Sequence, residues 1–95
     1  MRDTARTIRI PDHIGYERVE GDFVLVNLKS GKFLGLDAVG SLLWQTLLDG
    51  GTVDDAVGKI LGRYEVAEDR ARQDIESLLG KLEEKGAVVI RAEQP

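Results

Sequence analysis

In the first part of the chain, short apolar runs separated by turn residues predict β-strands. A first strand is predicted between Ile14 and Val19, and the β-branched and aromatic run 23–28 predicts a second. Ser30-Gly31 supplies a turn, and the run 32–36 predicts a third strand that folds back on the second. These three segments therefore predict a small antiparallel sheet.

The alternation within the predicted third strand assigns its side chains to two faces. Leu34 and Leu36 share one face with Lys32, whereas Phe33 lies on the opposite face. The pattern predicts no strand immediately after this one, so one of its edges is expected to be open. An open apolar edge is hidden by a helix, blunted, or used to capture another chain as an added strand.

Beyond Asp37 the apolar spacing changes to three and four residues, which is the spacing of amphipathic helices. Asp37 is a good N-cap for a first helix over 38–48. A second helix is predicted over 53–64, and Thr52 precedes it in a capping box that uses Asp55 in place of Glu. The apolar stripe of this second helix is expected to comprise Val53, Ala56, Val57, Ile60, Leu61 and Tyr64.

A third helix is predicted over 68–85, with Gly86 as the residue that ends it. Its apolar stripe comprises Ala71, Ile75, Leu78, Leu79 and Leu82. The apolar segment 87–90 is expected to pack on the helices or to add a small strand, and residues 1–10 and 91–95 are expected to be flexible. Three strands followed by three helices predict one α+β domain of winged helix-turn-helix-like form.

Composition narrows the classes of function. The 95 residues carry a net charge of −4, which disfavours a nucleic-acid partner. The absence of cysteine removes disulfides and thiolate chemistry. The first residues lack the apolar core of a signal peptide, and no apolar run approaches the roughly 20 residues that span a bilayer. We therefore expect a cytoplasmic protein without a membrane partner.

Residues with catalytic potential are few and isolated. His13 is the only histidine, and it lies beside a Pro-Asp turn where an exposed turn residue is the simpler interpretation. Ser41 and Ser77 fit solvent-facing helix positions, and Trp44 fits the core. No histidine pair, calcium loop or glycine-rich phosphate loop is present. The sequence therefore predicts no enzyme activity, no metal and no cofactor.

Three consecutive helices also permit a DNA-binding regulator. However, the third helix carries more acidic than basic side chains, so the duplex would repel it. A peptide-recognition module remains, in which an extended peptide pairs with the third strand beside the third helix. The alternative that the helix closes this slot stays open at this point.

A string of residues spread over most of the chain supports this interpretation. It comprises Leu25-Val26-Asn27-Leu28, Ser30-Gly31-Lys32-Phe33-Leu34-Gly35-Leu36-Asp37, Gly40, Trp44, Leu47, Asp49-Gly50-Gly51-Thr52, Tyr64, Asp74, Leu82 and Gly86. This string resembles the PqqD-like family of RiPP recognition elements, which bind leader peptides of ribosomally made natural products. Asp37 stands where the family often has Asn, and both residues cap helices.

Within that family the chain is most similar to the freestanding leader-binding subunit of lasso-peptide pathways. The resemblance implies that a leader peptide docks antiparallel to the third strand, in the groove beside the third helix. It also implies a leader peptidase and a cyclase as partners, with no catalysis by this chain. The alternatives are a PqqD-type peptide chaperone for a radical maturase and a winged-helix DNA-binding regulator.

The resemblance also implies a set of peptide-binding residues. On the third strand they are Lys32, Phe33, Leu34 and Gly35, and on the third helix they are Asp74, Ile75, Leu78, Lys81 and Leu82. Some of the three apolar helix residues must also hold the core, and the sequence does not separate these two roles. Phe33 is the favoured apolar contact, and Gly35 would allow a close backbone approach.

Overall fold

The computed structural model describes residues 6–92, which form five strands and three helices. In chain order these are β1 (Arg6–Arg9), β2 (Ile14–Val19), β3 (Asp22–Asn27), β4 (Lys32–Gly35), α1 (Ala38–Leu48), α2 (Val53–Arg63), α3 (Glu68–Glu84) and β5 (Val89–Ala92). None of these three helices has both the length and the apolar character needed to cross a membrane. The predicted α+β class, with a three-stranded antiparallel sheet and three helices, is confirmed.

The main sheet is antiparallel and has the strand order β2-β3-β4. A two-residue turn at Glu20 and Gly21 joins β2 to β3, with positive φ angles of 53° and 94°, as expected for a tight hairpin of primed type. The second turn has Gly31 at φ 76°, and its N–H donates to the carbonyl of Asn27 at 2.7 Å. Gly21 and Gly31 avoid the strain that a side chain causes at such left-handed positions, whereas Glu20 carries one.

A second, two-stranded sheet joins the two ends of the described chain. β1 pairs antiparallel with β5, and Ile8 lies opposite Ile90. This pairing corrects the expectation of flexible ends for Arg6–Arg9, Arg91 and Ala92, whereas residues 1–5 and 93–95 lie outside the described part. Ile8 and Ile90 both pack against the core. The pairing of the two strands also satisfies their main-chain hydrogen-bonding groups, and the polar residues at the chain ends gave no sign of this pairing.

α1 is the most enclosed helix. Leu43 and Trp44 are fully buried, which confirms Trp44 as a core residue, and the ring of Tyr16 lies edge-on to it at 6.0 Å. Ser41 was expected to face solvent, and this is wrong. It is 4% exposed, and its Oγ accepts a hydrogen bond from the N–H of Phe23 at 2.8 Å, because α1 packs directly on β3.

α2 begins with the predicted capping box. Thr52 Oγ1 accepts from the N–H of Asp55 at 3.1 Å, and Asp55 Oδ2 accepts from the N–H of Thr52 at 2.9 Å. The expected burial of Leu61 and Tyr64 is wrong, since they are 37% and 42% exposed. Tyr64 has left the helix with extended backbone angles, and Leu61 lies at the edge of the buried stripe. The rest of the predicted stripe is buried: Val53, Ala56, Val57 and Ile60.

Candidate functional site

The outer edge of β4 is unoccupied by any other strand in residues 6–92, since β4 pairs only with β3. The N–H of Leu36 donates to the carbonyl of Phe23 at 2.9 Å, which identifies these residues as a hydrogen-bonded pair. Such pairs alternate along an antiparallel ladder, so Leu34 also directs its main chain toward β3. The main-chain groups of Phe33 and Gly35 therefore face the open edge.

The two faces of β4 differ in burial, as the sequence predicts. Leu36 is 8% exposed and Leu34 is half-buried, and both side chains lie on the face that packs toward the helices. Phe33 lies on the outer face and is 74% exposed. A strand added at this edge would accordingly meet an apolar surface on the inner face and the Phe33 ring on the outer face.

Leu78, in the middle of α3, lies across Gly40 from Leu36 at the end of β4. A Cβ placed on Gly40 would lie 3.2 Å from the Cβ of Leu36 and 3.5 Å from Cδ2 of Leu78. Gly40 thus allows the first turn of α1 to lie close to both Leu36 and Leu78 without a side chain in the way. This contact places Leu78 beside the corner where β4 ends and α1 begins.

Gly86, just after the end of α3, lies close to the end of β3, beside the start of β4. A Cβ on Gly86 would lie 3.5 Å from Nδ2 of Asn27, which is paired with Lys32. The helical rise from Leu78 to Gly86 is about 12 Å, and the strand rise between Leu36 and Lys32 is about 13 Å. The second half of α3 therefore runs alongside β4 in the opposite direction.

One side of α3 is fixed to the rest of the protein, and we term it the anchored flank (Arg72 and Glu76). Arg72 Nη1 donates to Asp54 Oδ1 of α2 at 2.8 Å. Glu76 accepts two hydrogen bonds from Arg6 of β1, at 2.9 and 2.7 Å. The hydrogen bond to Asp54, followed by that to Glu68, raises the pKa of the Arg72 guanidinium.

The other side of α3 faces the β4 edge, and we term it the β4 flank (Asp74, Leu78, Lys81 and Lys85). At about 100° per residue these four positions fall within about 60° of one another, across the buried stripe from the anchored flank. Leu78 is half-buried, and the three charged residues are exposed. We term the surface between β4 and this flank the groove; half-buried Leu34 and Leu78 form its apolar floor, and the exposed charged residues form its rim.

The structure separates the residues implied by the family resemblance into two groups. The strand residues Lys32–Gly35 and the helix residues Asp74, Leu78 and Lys81 lie along the groove. Ile75 and Leu82 are 0% exposed, so we assign their side chains to the core.

Two further positions shape the groove, and the sequence reasoning missed both. Lys85 stands at the end of α3 beside the β3–β4 turn, and Gly40 permits the contact at the opposite end. A glycine inside a helical pattern is itself a signal, because it weakens the helix and often marks a close approach. Lys85 carried no comparable signal, since a lysine near a helix end is common.

Comparison with known proteins identifies the family of this chain. Residues 22–88 match the family model described as coenzyme PQQ synthesis protein D (PqqD). No curated protein matches the chain significantly in sequence.

Two solved structures are similar over most of the chain. One is TbiB1 in complex with the TbiA(beta) leader peptide, with a TM-score of 0.80 and 30% identity over 84% of this chain and 93% of that chain. The other is lasso peptide synthetase B1 complexed with the leader peptide, with a TM-score of 0.80 and 29% identity over 86% of this chain and 96% of that chain. Both were therefore solved with a leader peptide bound.

Proposed function

This chain belongs to the PqqD family, and from this premise we propose that it is a recognition protein that binds the leader peptide of a ribosomally synthesised precursor. The observation that carries the proposal is the open β4 edge, where Phe33 and Gly35 direct their main chain outward. Support also comes from the two similar structures, each of which contains a leader peptide.

Binding would proceed by strand addition. Main-chain N–H and C=O groups of the leader pair with those of Phe33 and Gly35, and this pairing supplies affinity for any extended sequence. Alternate leader side chains point to opposite faces. Those on the inner face enter the groove against Leu34 and Leu78, whereas those on the outer face lie against the exposed ring of Phe33.

The role of the protein would be delivery and not catalysis. It presents the bound precursor to a separate leader peptidase and cyclase in the cytoplasm, in a lasso-peptide pathway. The similarity to a lasso peptide synthetase B1 supports this pathway over delivery to a radical maturase. An added strand also leaves its own far edge and the rest of the precursor accessible to the partner enzymes.

Titration with a leader peptide tests the proposal directly. The probe is a fluorescein-labelled synthetic peptide with the leader sequence of the precursor gene adjacent to the gene of this chain. Fluorescence anisotropy should give saturable binding with a dissociation constant of micromolar or tighter, and a scrambled peptide of the same composition should not bind. Equal affinity for both peptides, or no binding of either, would refute leader recognition.

A matched pair of substitutions tests the proposed edge. Phe33→Asp should weaken leader binding by about tenfold or more, with an unchanged melting temperature, because it places an unpaired charge beside the added strand. Val19→Asp is the control, since Val19 is also exposed, at 50% against 74% for Phe33, but lies on β2 at the opposite edge of the sheet. If both variants bind the leader equally well, the β4 edge is not the site.

A further inference from the structure

Four lysines surround one end of the groove in a chain that is acidic overall. Lys29 lies in the β3–β4 turn, Lys32 begins β4, and Lys81 and Lys85 lie on the β4 flank of α3. The net charge of the whole chain is −4. In residues 6–92 none of these four ammonium groups forms an ion pair, although Arg6, Arg70 and Arg72 all do.

The fold brings these lysines together from two distant segments. Gly86 lies close to Asn27 at the end of β3, and Asn27 is paired with Lys32 at the start of β4, so the end of α3 lies near the β3–β4 turn. Lys85 immediately precedes Gly86, and Lys81 lies about one helical turn earlier on the same flank. All four side chains of the cluster are exposed.

Neighbouring acidic residues do not neutralise this end of the groove. Glu84 is about 60° from Lys81 around the helix, toward solvent, and Glu83 points to the anchored side. Asp74, on the β4 flank, lies toward the other end of the groove and pairs with Arg70 at 3.4 Å. The rim of the groove is therefore positive at the Lys32 end and close to neutral at the Leu36 end.

The lysine side chains are also not needed as hydrogen-bond donors to the carbonyls at the end of α3. Main-chain N–H groups already donate to the last carbonyls of the helix: Lys85 to Lys81 at 3.0 Å, Gly86 to Glu83 at 3.0 Å and Ala87 to Leu82 at 2.8 Å. These bonds satisfy the carbonyls that a helix end otherwise leaves without partners. The cluster is thus available to interact with a ligand.

We propose that the bound segment of the leader carries an Asp or Glu side chain at the end that lies beside Lys32, Lys81 and Lys85. This inference rests on the proposed strand addition. Extension of the antiparallel sheet makes that end the C-terminal end of the bound segment. Main-chain pairing alone does not distinguish one register from another. The carboxylate would select one register and one direction of the bound leader, because it is attracted to the lysines at only one end of the groove.

The test reverses the charges on α3. Lys81→Glu/Lys85→Glu should weaken leader binding by about tenfold at about 50 mM salt and abolish its salt dependence. The control is Arg63→Glu/Arg91→Glu, which makes the same change in net charge at exposed positions on α2 and β5 and should alter affinity by less than about twofold. Circular dichroism checks that both variants fold, and the milder Lys81→Gln/Lys85→Gln should lose about threefold if the reversed variant unfolds.

Substitution of the leader identifies the partner group. Each Asp and Glu of the leader peptide is replaced in turn by Asn or Gln. One replacement should weaken binding to the wild-type protein as much as the charge reversal does. The same replacement should have no effect on binding to the charge-reversed protein. A Lys at that leader position should restore binding to the charge-reversed protein. Tight binding of an unmodified leader by the reversed variant, or the absence of any coupled carboxylate, would overturn this inference and leave leader recognition intact. Failure of the wild-type protein to bind the leader would refute the proposed function itself.

Discussion

The two flanks of α3 differ in how they are held. On the anchored flank, Arg72 and Glu76 form ion pairs with α2 and β1. On the β4 flank, Leu78 is only half-buried and Lys81 forms no ion pair within the described chain. One helix therefore holds the fold with its buried stripe and one side, whereas the other side makes no such ion pairs to other elements within residues 6–92 and is the side that we propose lines the leader site. Substitutions on α3 should consequently separate stability from binding.

The largest expected effect is on the buried stripe. Leu82→Ala should lower the free energy of unfolding by about 2–5 kcal/mol, because Leu82 is fully buried and its loss leaves a cavity. Leu78→Ala, on the β4 flank, should cost less than half as much stability yet weaken leader binding. Urea denaturation and leader titration measure both quantities. Equal destabilisation by the two substitutions would mean that the β4 flank belongs to the core.

The next largest effect is expected from proline substitutions that remove single main-chain N–H groups from β4. Phe33→Pro removes an N–H that faces the open edge, so the protein should fold while leader affinity falls by about tenfold or more. Leu34→Pro removes an N–H that pairs with β3 and should destabilise the protein by about 1–3 kcal/mol. Phe33→Ala is the control that separates loss of the ring from loss of the N–H. Stable folding of Leu34→Pro together with unfolding of Phe33→Pro would reverse the assignment of the edge.

The smallest effect is expected on the anchored flank. Glu76→Ala should lower the free energy of unfolding by about 1 kcal/mol or less, since its ion pair with Arg6 is partly exposed to solvent. Leader affinity should stay within about twofold, because this side faces away from the groove. Thermal denaturation and the same titration provide the readouts. A large loss of affinity without a loss of stability would place part of the ligand on the anchored flank.

Local patterns were enough to predict most of the elements. The helix predicted over 38–48 is observed as Ala38–Leu48, because Asp37 caps its start and its apolar spacing is unambiguous. The hairpin of β3 and β4 follows from alternation around a glycine turn. The two faces of β4 follow from the same alternation, and they place Phe33 outward.

Features that depend on contacts between distant segments were not predictable in this way. β1 and β5 come from opposite ends of the described chain; a small strand within 87–90 was one of two expectations, but β1 and its pairing with β5 were not predicted. Ser41 is buried because α1 is packed directly against β3, which a helical period does not reveal. Periodicity likewise predicts the buried stripe of α3 but not which neighbour each flank faces, so Ile75 and Leu82 could not be told apart from Leu78.

Hydrogen exchange of individual main-chain amides tests the central claim, strand addition at β4, most directly. In the free protein the amides of Phe33 and Gly35 should exchange rapidly, and those of Leu34 and Leu36 slowly, because only the latter two face β3. With saturating leader peptide, exchange at Phe33 and Gly35 should slow by about tenfold or more. Unchanged rapid exchange at both residues, under conditions where the leader is demonstrably bound, would contradict strand addition at this edge.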